Sequence, residues 1–271
     1  MSAFVQHEKG GLVYMTAPVI STKHAFTTRY GGVSEGYLAS LNLGFNRGDE
    51  RERVLENYRI LGRALGIDVM RAAYTKQVHG THVRLITESD RCSPTDPDPC
   101  DSDGLVTDVP GLPIFCFTAD CVPLLLHDPA GGTAGAVHCG WRSSVGDIPG
   151  EALRIMEGLG SRPEDVRAAT GPSIGACCFE TDGDVPEAVR AWLGAADAEP
   201  YIRPKNNSGK FLVDLRGALR CRLLQLGLAP EHIAVSDECT VCLHEKYWSH
   251  RYSKGSARQS VRRDLPLNLG V

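Results

Sequence analysis

The chain has 271 residues, 42% of them hydrophobic and 23% charged, enough apolar material for a core that hides roughly 75% of the unfolded surface without help from metals or disulfides. Collagen-like, disordered and mini-protein architectures are thereby excluded. Twenty-nine Lys plus Arg against 33 Asp plus Glu give a net charge of −4, the wrong sign for whole-protein attraction to nucleic acid or anionic lipid.

Along the chain, β-like runs fall at Leu12–Met15, His24–Thr28, Val83–Thr87, Gly104–Thr107, Pro113–Thr118, Val122–His127, Gly135–His138, Val166–Thr170 and His232–Val235. Three helices are predicted. Asp49–Leu65 places Val54, Leu55, Tyr58, Leu61 and Leu65 on one face, with acidic residues in its first turn. Asp147–Leu159 and Asp214–Leu226 follow, the latter ended by Gly227 and Pro230. The Pro- and Asp-rich stretch Ser89–Asp103 reads as a long surface loop inserted between strands. Tight connections between residues 104 and 139 demand antiparallel neighbours. We therefore expect an α/β fold, a single domain over residues 1–271 with a mixed central sheet flanked by helices.

Ten cysteines are about 4% of the chain, below the ~8–10% of a disulfide scaffold. The start, MSAFVQHEKGG, has no basic segment followed by an apolar run, so free thiols in a reducing, cytoplasmic setting are expected. No run reaches the ~20 apolar residues that span a bilayer, and neither a membrane nor a nucleic-acid partner is expected. Cys92 and Cys100 flank the Pro-rich loop and could join under oxidation, though nothing requires it. Cys177-Cys178 is too close for an ordinary bridge, and Cys239-Thr240-Val241-Cys242 is a lone CxxC without a partner pair at zinc-knuckle spacing. No second metal or redox site is expected there.

The segment Pro113–Arg142 carries the chemistry. If Val122–His127 and Gly135–His138 lie side by side, the start of the first meets the end of the second, bringing Cys121 to His138. Such a pair serves as nucleophile and base, or as two metal ligands; a buried thiol and a satisfied strand-end histidine are the bland alternative. His79 in Gln77-Val78-His79-Gly80 is a candidate third ligand. Cys-His-His with an open position suits a catalytic zinc, whereas a closed fourth ligand, Cys139 or His82, would make it structural or sensing. Arg29, beside Gly31-Gly32, reads as a phosphate receptor or as part of a plain hairpin turn. Asn42 and Gln77 suit sugar hydroxyls. Arg142 suits an anion or a structural pairing with Asp120. Gly171-Pro172-Ser173-Ile174-Gly175 reads as a pocket wall or an ordinary turn.

Taken in order, TRYGGVS (28–34), SLNLG (40–44), QVHG (77–80), DGLVT (103–107), TADCVP (118–123), VHCGWR (137–142) and GPSIG (171–175) resemble the YfiH-like, laccase-domain family, once called multicopper polyphenol oxidoreductase. The resemblance implies one α/β domain and a zinc-type site at His79, Cys121 and His138, which are thereby both catalytic and metal-binding. It further implies phosphorolysis of adenosine, inosine and methylthioadenosine, and deamination of adenosine. The sequence leaves the oligomeric state open, with a monomer favoured. It leaves open a cysteine amidase that edits cell-wall precursors, with Cys121 as nucleophile, His138 as base and His79 or Asp120 as orienter; the fold is also similar to that of toxin glutamine deamidases with a Cys-His pair. Multicopper oxidation needs about ten histidines in paired His-x-His elements. This chain has nine and no such pair, so copper is disfavoured. The C-terminal end departs from the family pattern: Arg258 and Gln259 match, but His250 replaces an aromatic, and the basic tail reads as solvated or as steering an anionic substrate.

Overall fold

A computed structural model describes residues 4–206, 208–255 and 268–270. Its centre is the hairpin anticipated from the two apolar runs, now Val122–Asp128 and Thr133–Cys139, in antiparallel register from Val122↔Cys139 to Asp128↔Thr133. Asp128 closes the turn by accepting the N–H groups of Ala130 and Gly131, both at 2.9 Å. Gly104–Thr107 adds antiparallel on one side and is joined in parallel by Val83–Ile86. Arg167–Thr170 adds antiparallel on the other side and is joined in parallel by Ile233–Val235. The result is the expected mixed sheet, six strands wide.

Strand alternation sorts this sheet's side chains onto two faces. Val106, Val122, Leu124, Leu126, Val137 and Cys139 pack with Ile148, Leu153, Met156, Leu219 and Leu223 of the helices Ile148–Gly158 and Leu215–Gln225. Leu105, Leu125, Ala136 and Ala169 face the other way, onto Met15, Phe26 and Cys116. Those belong to a five-stranded sheet of Val5–Lys9, Leu12–Thr16, Phe26–Thr27, Asn268–Gly270 and Cys116–Thr118. Each fully buried Leu in these layers contributes roughly 1.5–3 kcal/mol. Helix Arg51–Leu65 buries Val54, Tyr58 and Leu61 and stops at Gly66, whose φ of 67° supplies the left-handed cap.

Several elements differ from expectation. His24–Thr28 contracts to Phe26–Thr27 because the His24 imidazole is tied into the preceding turn, accepting from Ala17 N at 2.8 Å and contacting Thr22 O at 2.9 Å. Pro113–Thr118 contracts to Cys116–Thr118, since Pro113 O and Phe115 N instead bond the backbone of Ala73. Helix Asp184–Leu193 was not expected; Pro186 looks like a breaker, yet it sits in the first turn, where its missing N–H costs nothing. Strands Ile202–Lys205 and Lys210–Val213 pair in a small three-stranded sheet, with Pro204 tolerated on the edge strand. The loop 89–103 is held down rather than free: Arg84 bridges Asp90 and Asp98, and the loop ends in fully buried Ser102 and Asp103. Cys92 and Cys100 are free thiols. Arg258, Gln259 and the basic tail lie outside the described residues. No helix among the described residues is long and apolar enough to cross a membrane.

Candidate active site

The register Pro123↔His138 puts Cys121, just before one central strand, beside the end of the other. Strand alternation then aims His138 away from the helix layer that receives Cys139. Cys139 therefore cannot serve as a fourth ligand, and burial pushes its thiol well above the usual range. His79 arrives from the turn before Val83–Ile86, its Nε2 3.9 Å from Cys121 Sγ. Its ring meets that of His138 edge-on, centroids 4.7 Å apart. One ligand atom each from His79, Cys121 and His138 lies within 4.8 Å of the others, and His82 stands outside the group. At Gly140 a Cβ would sit 3.1 Å from His79 Cδ2 and 3.4 Å from Cys121 Sγ; a side chain there would press on two members of the trio.

Asp103 organises the trio. Its carboxylate, fully buried, accepts the N–H groups of Val78, His79 and Gly80 at 2.8–3.0 Å and that of His138 Nδ1 at 2.7 Å. The first three bonds curl the 78–80 turn around it and hold His79 at a φ of 61°, a conformation uncommon for a residue with a side chain. The fourth fixes the His138 tautomer and leaves Nε2 for the cluster. Burial alone would raise the Asp103 carboxyl, but its bonds to His138, Gly80 and Val78 hold it below the ordinary carboxylate range. Burial would likewise push Cys121 up and His138 down. The interaction with His138, with His79 contributing, brings Cys121 down to about 6, and the bond to Asp103, followed by the interaction with Cys121, brings His138 up to about 9. Without a metal both shifts favour a thiolate–imidazolium couple.

The trio opens onto a cavity of about 700 Å³, within the ~300–1,000 Å³ of small-molecule sites. Phe117, Trp141 and Phe179 give it flat apolar surface, Arg47, Lys76 and Arg251 bring basic side chains to its lining, and His250 joins them. Asp120, at a φ of 85°, accepts Thr240 Oγ1 and Arg251 N at 2.6 Å each, tying the floor to the C-terminal helix His250–Gly255. Ile174 joins the lining, so the Gly171–Gly175 turn does form part of the wall.

The four expected substrate-binding residues fare differently. Gln77 lines the cavity, but its amide is engaged at both ends by Phe117, Nε2 donating to O and Oε1 accepting from N, each at 2.7 Å. Arg29 does not line it: the guanidinium donates to Ala39 O and His244 O and stacks 3.9 Å above Trp248. The glycines after Arg29 are there for close packing, since a Cβ on Gly31 would sit 2.1 Å from Gly11 O. Asn42 is fully buried, bonding Gly44 and Asp49. Arg142 is exposed and stacks on Trp141 rather than meeting Asp120. Sequence reasoning missed Asp103, which looked like one more loop acid; its signals were its place at the head of the DGLVT segment and directly before a wholly buried strand. Arg47, Lys76 and Arg251 gave no signal, being ordinary basic residues until the fold gathers them.

The trio fits zinc. Bonds of ~2.0–2.3 Å in tetrahedral array set ligand atoms roughly 3.3–3.8 Å apart, close to the His79–Cys121 separation, and Asp103–His138 is the carboxylate–imidazole support of such centres. It does not fit a set of four coppers, because the metal-capable groups among the described residues hold two histidines in all.

Residues 23–260 match the family model described as multi-copper polyphenol oxidoreductase laccase. The purine nucleoside phosphorylase YlmD of Geobacillus stearothermophilus is 34% identical over 257 residues, 93% of each chain. A purine nucleoside phosphorylase of Deinococcus radiodurans is 38% identical over 245 residues, 90% of this chain and 89% of that one. The crystal structure of YfiH from Bacillus licheniformis superposes with a TM-score of 0.84 at 26% identity, covering 98% of both chains. On these matches and the shared fold, the chain belongs to the multi-copper polyphenol oxidoreductase laccase family, the YfiH-like group that includes relatives named purine nucleoside phosphorylase.

Proposed function

We propose that this chain, acting as one catalytic domain, is a purine nucleoside phosphorylase whose reaction centre is the cavity over His79, Cys121 and His138, with zinc held by those three. The observation that carries the reading is the convergence of three ligand atoms within 4.8 Å on the floor of a cavity with aromatic walls and a basic rim. Zinc bound there would supply Lewis acidity able to polarise a substrate oxygen placed against it.

The chain's own residues account for the rest. Asp103 Oδ1 holds the Nδ1 proton of His138, so the Nε2 lone pair stays available to the metal. Phe117, Trp141 and Phe179 offer faces on which a purine stacks. Arg47, Lys76 and Arg251, which line the cavity as Arg29 does not, replace it as the phosphate anchors; Lys76 shares its charge with Asp101, and Arg251 keeps Nη1 on Cys178 O and Glu180 O. Phosphate held there attacks the anomeric carbon as the glycosidic bond breaks; the purine leaves with the bonding pair and takes up the proton that phosphate gives up. Adenosine, inosine and methylthioadenosine are the proposed substrates, and deamination of adenosine the proposed second activity. Zinc-loaded protein given adenosine and phosphate is expected to yield adenine with ribose 1-phosphate, and some inosine. If separation of the products finds none of these, the reading fails.

A second reading has its own observation. With Asp103 as orienter, in place of the expected His79 or Asp120, the depressed Cys121 thiol and raised His138 form a Cys-His-Asp arrangement suited to amide hydrolysis. It predicts chelator-resistant activity and an acyl adduct on Cys121.

A further inference from the structure

Four cysteines that looked unrelated in the sequence form a second cluster. Cys177, Cys178, Cys239 and Cys242 bring their sulfurs within 4.8 Å of one another. Cys242 Sγ lies 3.6 Å from Cys177 Sγ and 3.5 Å from Cys178 Sγ. Covalent S–S bonds are about 2.05 Å long, whereas a tetrahedral ion with ~2.3 Å metal–sulfur bonds sets sulfurs roughly 3.8 Å apart. The spacing therefore matches ligation rather than bridging. The backbone adds an independent sign. Cys239 Sγ is buried and accepts the N–H of Gly175 at 3.2 Å. An amide N–H aimed at a buried sulfur is the outer-shell support that metal-ligating groups receive. The CxxC lacked a partner pair only at sequence level: the bridge Ser173↔Cys239 and the bond Thr240 N→Ser173 O lay its turn against the one carrying Cys177 and Cys178.

We propose that Cys177, Cys178, Cys239 and Cys242 hold a structural zinc ion, separate from the Cys-His-His trio, that clamps two turns together and fixes one wall of the cavity. Four thiolates leave no open position, which suits a structural rather than a catalytic role. The clamp acts on the cavity through short links. Ile174 and Phe179 bracket the first turn and line the cavity. Arg251 donates from Nη1 to Cys178 O and Glu180 O. Thr240, inside the second turn, donates to the carboxylate of Asp120, the residue before Cys121.

Metal content of the full chain, purified without added metal, tests this. The wild type is expected to carry about two zinc ions per chain, and Cys121→Ala about one. Cobalt substituted into Cys121→Ala should give the intense sulfur-to-metal absorption of four thiolates. Adding Cys178→Ser and Cys242→Ser should remove that last ion. Zinc-free Cys121→Ala protein would overturn the proposal, as would iron in place of zinc or a Cys178–Cys242 disulfide in its mass map. If the serine variants do not fold, alkylation of Cys121→Ala decides: the four thiols should be protected with zinc and react after chelation, and equal reactivity in both states contradicts the clamp. About one zinc ion in both wild type and Cys121→Ala would remove metal from the trio while leaving the four-cysteine site intact, so the two readings fail separately.

Discussion

Asp103 shows how one carboxylate can set both the backbone and the chemistry of a site. It shapes the turn that presents His79 and orients His138, so Asp103→Asn should disturb both at once: an amide nitrogen now faces N–H donors. Zinc affinity of the trio should fall about 10–100-fold, measured by chelator competition on Cys178→Ser/Cys242→Ser protein if the second site competes, with kcat/KM falling in step; unchanged affinity would remove Asp103 from this role. Asn42 gives the opposite test. Fully buried and bonded to Gly44 and Asp49, it belongs to the scaffold, and Asn42→Ala should destabilise the fold by about 1–3 kcal/mol through unpaired buried groups. KM for nucleoside should stay unchanged, whereas a raised KM with intact stability would return Asn42 to the substrate. At this scale the sequence was legible for His79, Cys121 and His138, because their residue types carry chemistry at any position. It was illegible for Arg29, whose guanidinium is taken up by His244 O and Trp248 from a distant segment, and for Asn42, whose amide is taken up by Gly44 and Asp49 of its own loop.

Among the elements, the central hairpin was legible from its apolar runs and tight loop, and its register alone determines that Cys121 meets His138. Short edge elements were not, because tertiary contact rather than pattern stabilises Phe26–Thr27 and Glu180–Thr181. The junction between the two short helices after the hairpin has its own electrostatics. Asp147, at a φ of 67°, accepts Arg222 Nε and Nη2 at 2.8 and 2.7 Å and Trp192 Nε1 at 3.1 Å, stapling helix Ile148–Gly158 to Leu215–Gln225 and Asp184–Leu193. Burial would raise its carboxyl, but Arg222 and Trp192 hold it below the ordinary range. A depressed carboxyl stabilises the fold fully above its unfolded pKa of ~4 and loses that contribution as pH falls through the folded value. Asp147→Ala should therefore cost about 1–3 kcal/mol at neutral pH, with the gap to wild type closing as denaturation is followed below about pH 4. A gap constant with pH would show that the carboxylate charge contributes nothing.

For the whole molecule, the net charge of −4 argued against polyanionic partners, yet an acidic protein can still gather basic residues at one site. Arg47, Lys76, His250 and Arg251, from three separate stretches of chain, surround one cavity. His250, where the C-terminal end departs from the family pattern, is among them. The cysteine count resolves in the same way: seven of the ten thiols fall into the trio's Cys121, the four-sulfur cluster and the buried pair Cys116 and Cys139. What joins these features is the claim that the cavity over His79, Cys121 and His138 breaks the glycosidic bond of purine nucleosides with phosphate. The most direct test is the phosphate-dependent release of adenine and ribose 1-phosphate from adenosine by zinc-loaded wild type and Cys121→Ala side by side. Equimolar products are expected from the wild type and a loss of at least about 100-fold in the variant; wild-type protein that forms neither product, or a variant that matches it, would contradict phosphorolysis at this site.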